Sequence, residues 1–405
     1  MFKNEEVFRA RERIGDKIIS TPCVKSLFLS ELLGAEIFLK LENLHRTGSF
    51  KERGALNFLL THDCKGKRVV AASAGNHALA LARHASALGV SATIFMPKNT
   101  PSIKVLQTKK FGAEVRLTGA NYDDAFQSAQ QYCDEIRGKY VHAYNDRDVI
   151  VGQATISHEI VSEIGIPDLV FVPVGGGGLI SGIGTFLKNA KASTQVVGIE
   201  ARGFNSMAEA LKQGGPTVVS NGRSIAEGIA VKRVGQLTYE ACKEIHPVLK
   251  TVEDVEIQSA IMLLLEKQKI VTEGAGAAAV AGILAHGKEL DLQKKKVVVI
   301  ISGGNIDLGL LSRLTILGMI RSKRLCKLSL VIDDCPGSLS RLLDTLAESG
   351  VNIVDVQHER YFVDLSWNEV RVNLIVETKD EIHEEEAIKL VEGHGYSVSV
   401  NRLGA

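Results

Sequence analysis

Three stretches of the chain are apolar without alternation: Arg68-Val69-Val70-Ala71-Ala72, Leu169-Val170-Phe171-Val172-Pro173-Val174 and Val297-Val298-Val299-Ile300-Ile301. Short runs of this kind predict strands buried on both faces, as in a parallel sheet. Each run ends in glycine and polar residues. The first gives Ser73-Ala74-Gly75-Asn76-His77-Ala78, the second Gly175-Gly176-Gly177-Gly178-Leu179, the third Ser302-Gly303-Gly304-Asn305. Helical spacing follows the first loop (Leu79, Leu81, Ala82, Ala85, Leu88), and the second also opens a helix. A long helix of small residues is expected from Gly274 and Gly276 toward Leu284. Alternating strands and helices predict an α/β fold with open sheets, whose ligands bind beyond the carboxyl ends of the strands.

Past residue 321 the pattern changes. Cys326 to Ile332 alternates as a strand, and Leu339, Leu342, Leu343 and Leu346 repeat at helical spacing between Gly337 and Ser349. A second strand is expected over Val351 to Phe362 and a third over Glu369 to Glu377. An acidic helix from Asp380 to Glu392 and a short strand from Tyr396 to Val400 complete the order βαββαβ, which is ferredoxin-like. The chain therefore divides into residues 1–320 and 321–405.

With 405 residues and 45% hydrophobic content, the chain can fill the cores of two or three domains. A net charge of +1, with no basic run among aromatics, gives no case for nucleic acid or a membrane surface. Charges throughout Met1 to Ile19 argue against a secretory signal, and no apolar run reaches membrane-spanning length. Six cysteines (Cys23, Cys64, Cys133, Cys242, Cys326, Cys335) without a C-x-x-C spacing read as reduced thiols in a cytoplasmic protein.

One lysine stands out chemically. In Ser49-Phe50-Lys51-Glu52-Arg53-Gly54-Ala55, Lys51 lies between an aromatic and small residues, which suggests an enclosed amine able to form a Schiff base. A lysine alone is ordinarily a solvated helix start; its company changes the reading. Gly175 to Gly178 would let backbone amides approach an anion at a helix N-terminus, a phosphate cradle. No Gly-Lys-Ser/Thr follows, so this is not a nucleotide P-loop, and four consecutive glycines are not a G-x-G-x-x-G fingerprint. A lysine, a phosphate cradle and a polar residue after a third strand fit pyridoxal 5'-phosphate.

Taken in order, these motifs resemble the fold type II pyridoxal-phosphate enzymes, which are tryptophan synthase β-like, and within them the threonine dehydratases (threonine ammonia-lyases). The resemblance spans almost the whole chain. It implies two α/β subdomains, the smaller at about residues 45–145 inserted in the larger. It implies Lys51 as the Schiff-base lysine and α-carbon base, Phe50 against the cofactor ring, and Asn76 on the ring's phenolic oxygen. Gly175, Gly176, Gly177, Gly178 and Leu179 would take the phosphate, and Ser302 the pyridine nitrogen. Ser73, Ala74, Asn76 and His77 would line the substrate carboxylate. A neutral serine at position 302 makes the ring a weaker electron sink than a carboxylate would, which favours quick loss of the β-hydroxyl. Glu273 would lie near the cofactor edge in the family; an N-terminal helix charge explains it equally well.

Serine racemases resemble this chain too, but use a second acid/base serine where Ala74 stands. They also bind a divalent metal through a carboxylate matched by Glu200, with a second carboxylate where this chain has Ser206. One carboxylate is a thin site, so no metal is expected. The turn Asp334-Cys335-Pro336-Gly337-Ser338-Leu339 resembles the ACT domain, an amino-acid-sensing module. That likeness implies a regulatory ligand at Asp334, Gly337, Ser338, Leu339 and Asn352, and assembly through the strand Ile353 to Phe362. The expected protein is thus a cytoplasmic homo-oligomeric (dimer or tetramer) lyase acting on threonine, less well on serine. It would serve isoleucine synthesis or amino-acid degradation, with isoleucine the leading effector and valine or no effector the alternatives. A serine racemase/dehydratase, an inactive sensor and a nucleotide-binding protein are the rival readings.

Overall fold

The computed structural model describes residues 1–64, 66–219, 222–360 and 365–401. The chain separates into two compact units, Met1–Ile306 and Asp307–Ala405. The helix Leu308–Arg321 therefore falls with the second unit, whereas the hydropathy pattern puts the change at residue 321.

In the first unit, β1 (Cys23–Lys25) and β2 (Glu36–Leu41) lead into β3 (Arg68–Ala72), β4 (Ser91–Met96), β5 (Glu114–Leu117) and β6 (Lys139–Tyr140). The chain then returns through β7 (Leu169–Pro173), β8 (Gln195–Ala201), β9 (Val248–Val252) and β10 (Lys296–Ile301). Two sheets result. The larger has the order β1-β2-β10-β7-β8-β9, parallel except for the β1–β2 pair. The smaller, β5-β4-β3-β6, is parallel throughout.

The three apolar runs are β3, β7 and β10, and all but the first residues of β3 and β10 are buried. Valines and isoleucines suit a pleated surface covered on both sides, which is why alternation is missing from them. The larger core gathers Val170, Val172, Val298 and Ile300 with Ile150, Ile180 and Ile183 from the flanking helices. The smaller gathers Val69, Ala71, Ile94 and Met96 with Leu81 and Phe58.

In the second unit, β11 (Leu325–Asp333), β12 (Asn352–Glu359), β13 (Glu369–Glu377) and β14 (Val398–Asn401) alternate with the helices Ser338–Ser349 and Glu381–Gly393. The antiparallel order β12-β13-β11-β14 is the ferredoxin-like arrangement. One sheet face carries Leu328, Leu330, Val372 and Leu374 against Leu342 and Leu346. The predicted strand end at Tyr361 and Phe362 lies outside the described residues. No helix among the described residues is long and apolar enough to cross a membrane.

Candidate active site

The site forms where β3, β7 and β10 end. Lys51 is the first residue of the helix Lys51–Thr61, and its approach is tied to the end of β10: the Phe50 amide donates to the Ser302 carbonyl at 3.1 Å. Ser49 pairs with Gly303 as an isolated bridge. The Lys51 amine donates to the Ala143 carbonyl at 2.8 Å and lies 5.0 Å from the Phe50 ring centroid. Burial lowers its pKa to about 8, against the pull of Glu273. A sizeable neutral fraction near physiological pH is what a nucleophilic or basic amine needs.

The tetraglycine precedes the helix Gly178–Asn189, and all four residues are buried. Among the described residues, the amides of Gly175 to Gly178 donate to no protein acceptor. Buried amides normally have partners, so a row of free ones at a helix start marks an anion site. The opposite side of the loop is already filled by protein. A Cβ on Gly176 would overlap the Tyr144 ring, and one on Gly175 would stand 2.9 Å from the Ile229 Cα. Gly177 has φ +92° and faces Met207 and Thr238. The loop therefore needs glycine for packing as well as for anion approach. Gly176→Ala is expected to push Tyr144 off the loop and weaken cofactor binding about tenfold or more, read by titrating apoprotein with pyridoxal phosphate; unchanged affinity would show that the packing is dispensable.

Asn76 is the first residue of the helix Asn76–Ala87. Its Nδ2 donates to Glu273 Oε1 at 2.7 Å, and its Oδ1 accepts from Asn305 Nδ2 at 2.7 Å. The amides of Ala74, Asn76 and His77 have no acceptor among the described residues, so they remain free for a carboxylate. The His77 ring is committed elsewhere: it is buried, with Nε2 2.9 Å from the Val141 carbonyl, and burial lowers its pKa to about 3. Only its backbone can face the cleft loop as a donor. Ser302 is buried at the end of β10, its hydroxyl donating to the Ala275 carbonyl at 3.3 Å. Leu179 is buried in the first turn after the glycines, and Ser73 accepts from the Gly75 amide at 3.2 Å.

Several groups at the site escaped the sequence reading. Ala143, which holds the Lys51 amine, contributes a backbone carbonyl that no residue type announces. His142 accepts the amides of Tyr144 and Asn145 on Nδ1 at 3.3 and 3.0 Å, and burial with the nearby Lys51 charge lowers its pKa to about 4. Glu273, which the sequence puts near the cofactor edge or at a helix start, stands at the N-cap position of the helix Gly274–His286 without a side-chain cap bond, and burial raises its carboxyl to about 7. Lys104, on the helix Ser102–Lys110, meets Glu227 at 2.7 Å, beside the turn that backs Gly175.

Glu200 is fully buried and caps the helix Ser206–Gln213, accepting the Met207 and Ala208 amides at 2.7 and 3.1 Å. Burial raises its carboxyl to about 7, so its oxygens serve the helix end. In the second unit, Asp334 is held by two bonds from Arg360, at 2.8 and 3.1 Å. Gly337 has φ +89° before the helix, Ser338 accepts from Arg341 at 3.1 Å, and Leu339 packs on the core. Asn352 donates to Glu377 at 2.8 Å.

These features meet the needs of pyridoxal phosphate: a lysine of lowered basicity, a row of buried free amides and a neutral hydroxyl at a strand end. Comparison with known proteins agrees. A family model described as pyridoxal-phosphate dependent enzyme matches residues 14–303. The L-threonine ammonia-lyase of Thermotoga maritima is 39% identical over 402 residues, 99% of this chain and 100% of that protein. The catabolic L-threonine dehydratase of Escherichia coli K12 is 40% identical over 314 residues, 77% of this chain and 95% of its own. The solved structure of processed threonine deaminase isoform 2 from Solanum lycopersicum superposes with a TM-score of 0.73 at 34% identity, over 78% of this chain and 88% of that one. The chain belongs to the fold type II pyridoxal-phosphate-dependent enzymes and, within them, to the threonine ammonia-lyase family.

Proposed function

We propose that this enzyme converts L-threonine to 2-oxobutanoate and ammonia, and L-serine less readily to pyruvate and ammonia. The observation that carries the reading is the half-buried Lys51 amine, fixed by the Ala143 carbonyl in the same unit as the free tetraglycine amides. Pyridoxal phosphate, when bound, supplies the electron sink for charge developing at the substrate α-carbon. Lys51, neutral in part near its pKa of about 8, takes the α-proton. The helix-start amides at Asn76 and His77 orient the carboxylate. The hydroxyl leaves the β-carbon as water, and a second water releases the nitrogen as ammonia. Ala74 offers no proton on the other face, which supports elimination over racemisation.

The finer assignments rest on the same residues. Asn76 would hydrogen-bond the ring's phenolic oxygen, Ser302 the ring nitrogen, and Phe50 would pack beside the ring. An amino-acid effector, isoleucine first among the alternatives, would bind at Asp334, Gly337, Ser338, Leu339 and Asn352. The ferredoxin-like order of the second unit supports this, as does the turn before Ser338. A place in isoleucine synthesis would follow if isoleucine inhibits; degradation would fit an enzyme indifferent to it. Six unpaired cysteines support a cytoplasmic setting. The edge strand β12, with Val354 and Val356 exposed, supports a homo-oligomer.

The test is a spectrum of the purified protein followed by L-threonine with and without L-isoleucine. A visible band from lysine-bound cofactor together with 2-oxobutanoate release is expected. A band without 2-oxobutanoate would sink the substrate assignment, and an unaltered rate at high isoleucine would remove isoleucine as the effector.

A further inference from the structure

Asn76 has an amide whose two ends are nearly identical in shape and opposite in hydrogen-bonding sense. Which end faces the cofactor side decides whether it can donate there. A short chain of bonds fixes the answer. It begins at the Thr47 carbonyl, a backbone group that can only accept. Asn305 Nδ2 lies 2.7 Å from that carbonyl, so the Asn305 amide cannot be reversed without losing the bond. The same nitrogen lies 2.7 Å from Asn76 Oδ1. Both hydrogens of the Asn305 amide are then used, and the oxygen of Asn76 must face Asn305. The Asn76 nitrogen consequently faces Glu273, donating to Oε1 at 2.7 Å. Among the described residues, one N–H of Asn76 remains without a protein partner. Close packing leaves little slack: a Cβ on Gly303 would stand 2.5 Å from Glu273 Oε1 and 3.3 Å from Asn76 Nδ2.

We infer that Asn305 is a positioning residue: together with the Thr47 carbonyl it sets the flip of the Asn76 amide, so that the spare N–H is the group offered to the ring oxygen of pyridoxal phosphate. Glu273 takes the other N–H and holds the amide plane. This rests on the proposed contact between Asn76 and the cofactor. It adds that the contact has a polarity, imposed from a backbone carbonyl two side chains away.

N305D tests the polarity, because a carboxylate of the same shape accepts at both positions and favours the reversed Asn76 amide. The readouts are pyridoxal-phosphate affinity of the apoprotein and the visible band of the loaded protein before substrate is added. N305D is expected to weaken cofactor binding about tenfold, the scale of one mispaired hydrogen bond. It should shift the band in the same sense as N76A. In the double variant N305D/N76A the losses should not add, since both act through one amide. N305A, which removes the relay without adding charge, should give a smaller loss with the same band shift. Wild-type affinity and band in both Asn305 variants, or losses that add to those of N76A, would overturn the inference. If N76A itself leaves affinity and band unchanged, the cofactor contact of Asn76 falls first, and the role of Asn305 with it.

Discussion

Lys51→Ala is expected to lower kcat for threonine by at least about a thousandfold and to abolish covalent attachment of the cofactor. A positioned general base is worth about 10²–10⁴-fold, and here the same amine also anchors the cofactor. The amine has a fixed acceptor, the Ala143 carbonyl at 2.8 Å, and burial lowers its pKa to about 8. Borohydride reduction followed by peptide mass spectrometry should place the cofactor on Lys51 in the parent and nowhere in the variant. The pH dependence has a definite sign. A lysine whose folded pKa lies below its unfolded value disfavours the fold while protonated, so this penalty is full below about 8 and fades as pH rises toward the unfolded value. Reactivity of the free amine toward a small aldehyde should rise through the same range. Turnover near the parent level in Lys51→Ala would refute the assignment.

The second large effect lies two residues along the same helix. Arg53→Met is expected to destabilise the first unit by about 3–5 kcal/mol, the usual cost of removing one member of a buried ion pair. Arg53 is fully buried and donates to Glu42 at 2.7 and 2.8 Å and to Glu159 at 2.7 and 2.8 Å. Lys40, also fully buried, reaches Glu159 at 2.8 Å. Burial opposes the ionisation of Glu42, but the charges and hydrogen bonds of Arg53 and His45 hold its carboxyl well below the usual range. Methionine fills similar volume while leaving two carboxylates facing each other without their shared cation. Arg53→Lys should recover little, because a single ammonium cannot bond both carboxylates bidentately. Denaturant unfolding followed by a probe in the first unit measures the loss; a change under about 1 kcal/mol would show that water or Lys40 compensates.

The parts of this site that were readable in the sequence are those whose residue types are unusual for their place. Four glycines after a buried strand have few explanations, and a lysine between Phe50 and the small residues Gly54 and Ala55 has few more. Ala143 and Tyr144 were not readable. They follow β6, and Ala143 meets Lys51 across 92 residues of chain through an atom every residue possesses. Glu159 looks like a surface charge on the helix Arg147–Ile164, and only the tertiary position of Arg53 reveals it as buried. The place of the His77 ring was not readable either: its motif points to the substrate loop, where its backbone amide stays free, while the fold turns the ring to the Val141 carbonyl. The βαββαβ order of the second unit was legible because buried apolar residues recur at every second position of β11 and β13, with buried Asn373 the one break in the burial alternation of β13.

The loop His142–Asn145 supplies the acceptor for Lys51 through Ala143 and the rear wall of the tetraglycine through Tyr144. Asn145 also accepts the Leu237 amide at 2.9 Å, and the Tyr144 hydroxyl donates to the Arg233 carbonyl at 3.2 Å. Four consecutive residues thus tie the smaller sheet to the larger around the proposed cofactor site. Anything that binds there selectively adds its free energy to the folded state, about 2.7 kcal/mol at a hundred times its Kd. Vitamin supply would then bear on the survival of this polypeptide as well as its turnover, because every molecule without cofactor forgoes that increment of stability.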